Sequence, residues 1–202
     1  FTGESMLKFR FGFDAERKAI VIPYGAQTDY YTSRSISDKR FFKPRTEDAG
    51  PEPLFYEESL DQEEPVFVVE SAFCALSIMQ EDRHAVAICG TGARKLIDAL
   101  RSRESVPMII VCMDRDNPGE TAADKLCAQL KTIGFPYFRT TTPEGYKDPN
   151  ELLMGDSDLF RSWVRECIEQ AEKLPRDMRH MARNEISDTE ALRALQPELN
   201  PR

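Results

Sequence analysis

The chain has 202 residues, with 27 Lys and Arg against 35 Asp and Glu, a formal charge of −8. That length fits one or two domains able to bury a sizeable core, so no disulfide or metal staple is required on size grounds. At 41% hydrophobic and 31% charged residues, with no apolar run near the roughly 20 residues of a membrane span, the composition excludes a transmembrane role.

The charge is uneven along the chain. From Phe1 to Arg45 nine basic residues face five acidic ones, a local net of +4, which leaves −12 for the remainder. A basic arm on an acidic body would grip a polyanion at its N-terminal end, or it is simply a solvated surface; charge alone leaves both readings open. Short β-like pieces occupy this first segment: Ala19 to Pro23 (AIVIP), then Thr28 to Ser33 (TDYYTS), separated by Gly25 as in a hairpin or meander. Tyr24, Tyr30 and Tyr31 interleave with the basic residues, and packing on the β-subdomain is the favoured use of such rings over stacking on unpaired bases. A connector with Pro44, Pro51, Pro53 and Pro65 follows, poorly suited to helix or central strand.

From Pro65 the pattern becomes apolar strand and amphipathic helix in alternation. Val66 to Val69, Ala85 to Cys89, Met108 to Met113 and a weaker Pro136 to Thr140 suit strands covered on both faces. Ala93, Leu96, Ile97 and Leu100 keep helical spacing, as do Ala123, Leu126, Leu130 and Ile133, with Gly134 as C-terminal cap. Alternation of this kind implies a mostly parallel sheet. After Gly155, Leu159 to Leu174 reads as a further helix containing Trp163, and Asp188 to Leu195 as a short one. Cys74, Cys89, Cys112, Cys127 and Cys167 are odd in number, lie mostly in apolar stretches and include no CxxC. They read as buried free thiols of a reducing compartment, and hence of a cytoplasmic protein. The start at Phe1 reads as a piece of a longer chain.

Ligands of an open parallel sheet bind beyond the carboxyl ends of its strands, and this sequence puts acids there. Glu70 ends the first strand; Asp114 and Asp116 follow the third and share one face of an extended segment, with the Gly119 turn leaving room for phosphate. Clustered carboxylates repel unless a cation neutralises them, and oxygen ligands favour Mg²⁺ or Mn²⁺ over zinc. The other reading is a set of ordinary loop acids at strand ends. GTGARK (Gly90 to Lys95) lacks the spacing of a P-loop, although Arg94 and Lys95 at a helix start could touch phosphate. His84 reads as a surface residue, and Tyr56 and Tyr146 have no transesterification context.

The runs VFVVES (Val66 to Ser71), AVAICGTG (Ala85 to Gly92), IIVCMDRDNPGETAADKL (Ile109 to Leu126) and PEGYKDPNELL (Pro143 to Leu153) resemble a Toprim domain, the fold shared by bacterial primases and topoisomerases. RKAIVIPYGAQTDYYTSRSI (Arg17 to Ile36) and FFKPRTEDAGPEPLFYEESL (Phe41 to Leu60) are similar to the leader that precedes Toprim in DnaG-type primases of the phage or mobile-element kind. The resemblance implies an α/β fold, a Toprim (Rossmann-like) mostly parallel sheet flanked by helices. It divides the chain into a small basic β-rich N-terminal subdomain over 1–62, the Toprim domain over 63–154 and a C-terminal helical segment over 155–202. It implies a DNA primase catalytic core that makes RNA primers on a single-stranded DNA template from nucleoside triphosphates with Mg²⁺ or Mn²⁺, with a replicative helicase as a further partner and no membrane. The alternatives are a Toprim-type DNA-binding module with a depleted site, or a Toprim nuclease.

Carried over residue by residue, the resemblance makes Glu70 the catalytic glutamate and a metal neighbour, Asp114 and Asp116 the metal-binding DxD, and Asp148 a further metal contact beside Lys147. Arg34 and Lys147 become contacts to nucleic-acid or nucleotide phosphate, and Gly90, Thr91 and Gly92 a turn that lets backbone approach substrate; Lys39, Arg40 and Lys43 join the phosphate contacts through the basic charge of the N-terminal arm, and Arg94 through its place at a helix start. Two positions depart from the family's Glu-Gly-x-x-Asp: Ser71 stands for the Gly and Cys74 for the second acid. Loss of that carboxylate weakens one position of a two-ion arrangement.

Overall fold

The computed structural model describes residues 2–90 and 93–174; the helix read over Asp188 to Leu195 and the residues Thr91 and Gly92 lie outside them. The chain opens with helix α1 (Gly3–Lys8), capped by the Thr2 hydroxyl, which accepts from the Ser5 amide. An antiparallel sheet follows in the order β1 (Gly12–Asp14), β2 (Ala19–Pro23), β3 (Tyr31–Ser35) and β4 (Phe41–Phe42). The third strand starts later than the β-propensity of Thr28 to Ser33 suggests. The Tyr24 amide donates to the Tyr30 carbonyl at 2.9 Å and Thr28 Oγ1 accepts from the Tyr30 amide, so the stretch between them is the turn. The Pro-rich connector still forms two one-turn pieces, α2 (Thr46–Ala49) and a 3₁₀ turn (Glu57–Asp61). The prolines forbid long elements, not single turns.

The second sheet is wholly parallel, in the order β6 (His84–Ala87), β5 (Val66–Val69), β7 (Ile109–Val111), β8 (Tyr137–Arg139). Alternate side chains serve two cores, as the two-residue period of a strand requires. Val66, Val68, Val86, Ile109 and Val111 pack with α4 (Ala93–Arg101) and α5 (Asn117–Ile133). Phe67, Val69, Ala85, Ala87 and Ile110 pack with α3 (Ala72–Met79), α6 (Pro149–Gly155) and α7 (Ser157–Lys173). This second core also takes in Phe9, Ile22, Tyr24 and Tyr30, so the antiparallel sheet and the parallel sheet share one hydrophobic interior. Phe55 seals the seam: fully buried, it forms a backbone bridge with Ala87 and packs its ring edge-on against Tyr24 at 5.1 Å. Tyr24 and Tyr30 are therefore packing residues, whereas Tyr31 stays partly exposed.

β5 is followed by α3 on one face of the sheet, and its neighbour β7 by α5 on the other. The connections thus part between β5 and β7, which opens a crevice at the carboxyl ends of these two strands.

Candidate metal and phosphate site

Four acids and one cysteine border this crevice, and local structure places each of them. Glu70 directly follows β5. Ser71 caps α3, its hydroxyl accepting from the Cys74 amide at 3.2 Å. Asp116 caps α5 by accepting from Gly119 N at 2.8 Å, and Asp148 caps α6 by accepting from Glu151 N at 2.8 Å. Three helix N-termini therefore meet at one rim, where their free amides and dipoles favour negative charge. The loops are tied together: the Arg115 amide donates to the Lys147 carbonyl, and the Arg115 guanidinium donates to the Thr142 carbonyl at 2.8 Å.

Asp114 and Asp116 converge on one point, and the Lys147 ammonium occupies it, 3.0 Å from an oxygen of each. Those two contacts push the Lys147 pKa well up. Asp116 is lowered, first by the amide of Gly119 and then by Lys147. Asp114 is only 14% exposed and is raised by burial, with Lys147 opposing. Glu70 is raised too, by burial and then by the fields of Asp114, Asp116 and Asp148, with Lys147 opposing. One ligand atom each of Cys74, Asp114 and Asp148 also lies within 4.8 Å of the others.

Glycine at position 119 has a different purpose from the one its sequence suggests. A Cβ there would lie 2.1 Å from the Asp114 carbonyl oxygen, so the space is filled by the strand-exit backbone and not left for a phosphate. Gly134, by contrast, caps α5 in the left-handed conformation as its position predicts.

The basic residues divide into groups. Arg34, on β3, has its guanidinium over the rings of Phe41 (4.7 Å) and Phe73 (5.6 Å), and Phe73 lies in the first turn of α3 beside the crevice. Lys39 and Arg40 sit exposed at the β3–β4 turn, where Arg40 pairs with Asp38 at 2.8 Å. Lys43 is turned to Glu52 at 2.8 Å. Arg94 lines a groove of about 670 Å³ between α4 and α5, with Ile88, Met113, Asn117, Pro118 and Leu126. His84 opens β6 and faces Glu64 at 3.7 Å, away from the acids. Sequence reasoning missed Phe73 and the clamp role of Lys147; it read Cys74 correctly as a buried free thiol but did not place it at the rim. The cysteine's helical offset from Ser71 was the available signal that its thiol faces the same rim.

The fold has counterparts among known proteins. Residues 67–153 match the Toprim-like family model. The DnaG primase catalytic domain bound to single-stranded DNA is similar over 84% of this chain and 68% of its own, with a TM-score of 0.63 and 18% identity. The Aquifex aeolicus primase, comprising zinc-binding and RNA polymerase domains, matches 84% of this chain with a TM-score of 0.65 and 19% identity; the chain spans 53% of that structure. The RNA polymerase domain of Mycobacterium tuberculosis DnaG matches 98% of this chain and 87% of its own, with a TM-score of 0.59 and 16% identity. No curated protein sequence matches. Among the described residues no helix is long and apolar enough to cross a membrane.

Proposed function

Starting from a Toprim-like domain set in a DnaG-type primase fold, we propose that this chain is the catalytic core of a DNA primase, joining nucleotides into RNA primers on a single-stranded DNA template. The observation that carries the reading is the convergence of Glu70, Asp114, Asp116 and Asp148 on one rim, with a cation, the Lys147 ammonium, already seated between two of them.

The donor set fits a divalent ion: oxygens of Asp114, Asp116 and Asp148 would hold Mg²⁺ or Mn²⁺, and such an ion, when bound, neutralises triphosphate charge and polarises the phosphoryl group. The chain's own groups do the rest. Amides at the starts of α3 and α5 face the negative charge of incoming phosphates. Lys147 sits where it can turn from the carboxylates to a phosphate oxygen. Glu70, its carboxyl raised above the ordinary range, is suited to take the proton of a primer 3′-hydroxyl. Arg34, in contact with the rings of Phe41 and Phe73, together with the exposed Lys39 and Arg40, leads the template backbone toward the crevice without reading its sequence. Lys43 and Arg94 lend weaker support, since one is turned to Glu52 and the other lines the groove between α4 and α5. A replicative helicase partner belongs to the same reading through the resemblance.

The test is nucleotide addition on single-stranded DNA with ribonucleotides and Mg²⁺ or Mn²⁺, comparing the parent with Asp114→Asn. Labelled oligoribonucleotides made by the parent and lost in the variant support polymerisation. Template binding without synthesis selects the binding-module reading, which the substitution of Cys74 for an acid favours. Strand cleavage selects a nuclease.

A further inference from the structure

The antiparallel sheet carries a cross-strand row whose ends the core leaves uncovered. Phe13 on β1 is the direct partner of Ile20 on β2, Ile20 of Arg34 on β3, and Arg34 of Phe41 on β4. Directly opposed residues share a face, so the four form one line across the whole sheet, about 14 Å from edge strand to edge strand at the spacing of paired strands. The rings at its two ends face solvent: Phe13 is 60% exposed and Phe41 49%. Tyr24 and Tyr30, by contrast, are spent on the shared core.

A single exposed ring needs no explanation, but these two come with a charge pattern. Arg34 is the one charged member of the row, and its guanidinium lies over the Phe41 ring and over the Phe73 ring, the latter in the first turn of α3 just after Glu70. Phe41, Arg34 and Phe73 thus join the exposed edge of the sheet to the rim of the crevice. The acids of the same sheet region are neutralised locally, Asp14 by Arg17 at 3.1 Å and Asp38 by Arg40 at 2.8 Å. The segment to Arg45 is left with its net +4 on a body of −12. Phe42, which alternates to the opposite face, is less open, with the Arg17 and Arg40 guanidinium groups each 5.8 Å from its ring centre.

We infer that this row is a stacking platform for unpaired nucleic-acid bases, with Phe41 and Phe13 as the rings the bases lie on and Arg34 as the cation between them. Open aromatic faces beside positive charge complement both halves of a single strand, its bases and its phosphates. A duplex hides its base faces inside its own stack, so the platform selects unpaired strands, and a four-stranded sheet is wide enough to seat two or three bases. Every base has a π-face, so the grip is indifferent to sequence. The inference rests on the template role proposed above for Arg34 and adds that the bases, and not the phosphates alone, are held.

The test is titration of a short oligothymidine carrying one central 2-aminopurine with the whole chain in EDTA, because this base loses fluorescence when it stacks and no divalent ion then occupies the crevice. The fluorescence should fall as the chain is added. Phe41→Leu should remove most of the fall and weaken affinity about fivefold or more, Phe13→Leu should remove part of it, and Phe41→Trp should restore the parent's behaviour. Phe42→Leu, on the opposite face, should leave both readings unchanged; an equal loss there overturns the row. Circular dichroism of each variant controls for folding. Binding without quenching, as tight in Phe41→Leu as in the parent, overturns the stacking and leaves the template role standing. Failure of the parent to bind the single strand overturns both.

Discussion

Replacing Gly119 by Ala should both destabilise the fold and disable the crevice, although the same change at most helical positions is favourable. Ala is better than Gly inside a helix by about 0.5–1 kcal/mol. At this position the added Cβ would stand 2.1 Å from the Asp114 carbonyl oxygen, 2.8 Å from its carbon and 3.0 Å from the Asp114 Cβ. Ordinary contact begins at roughly 3.5 Å, so more than about an ångström of movement is needed, and the obstacle is backbone with no rotamer to escape into. Overpacking of this kind costs about 1–3 kcal/mol, which outweighs the propensity gain. For a chain of this size each kcal/mol lowers the melting temperature by about 2–4 °C. The same movement drives Asp114 away from Asp116 and Asp148, and a misplacement near 1 Å can cost on the order of 100-fold in a preorganised site. Thermal unfolding and Mn²⁺ calorimetry read the two effects. A variant as stable as the parent, with Mn²⁺ affinity unchanged, would refute the packing argument.

Asp114→Asn should weaken Mn²⁺ binding roughly 100-fold, about 2.7 kcal/mol, by calorimetry. Lys147→Met removes the resident ammonium, so it should tighten Mn²⁺ binding to the nucleotide-free chain and weaken triphosphate binding, read by titration of each ligand separately. Glu70→Gln tests the pH linkage. A carboxyl raised in the folded state loses stability as pH climbs above its unfolded value of about 4.3, so the metal-free variant should melt higher than the parent at neutral pH, and the difference should vanish at about pH 4. Phe55→Ala should cost about 3–5 kcal/mol in urea unfolding, with both sheets lost in one transition because they share a core; a separate early transition of the antiparallel sheet would contradict that.

Much of the fold was legible because the strands are short and apolar and the helices carry their own punctuation. Val66–Val69 and Ala19–Pro23 have the bounds their sequences suggest. The cap residues near the crevice could have been found by the same reasoning, since Ser71, Asp116 and Asp148 each precede a helix with a residue type that accepts amide protons. What the sequence hid is tertiary. No periodicity reveals that Asp114 and Asp116 turn toward Lys147, a residue more than thirty positions on, or that Phe73 supplies a platform for Arg34. Lys43 looked like a phosphate contact because charge alone carries no partner, and its partner Glu52 lies in the Pro-rich connector.

The proposed primase chemistry needs a divalent ion in the crevice between β5 and β7. Anomalous diffraction from crystals of the chain grown with Mn²⁺ measures this directly. A peak within ligand distance of the Asp114 carboxylate, shared with Asp116 or Asp148, is the predicted result. Manganese bound only at other surface acids, with Lys147 still clasped between Asp114 and Asp116, would contradict it.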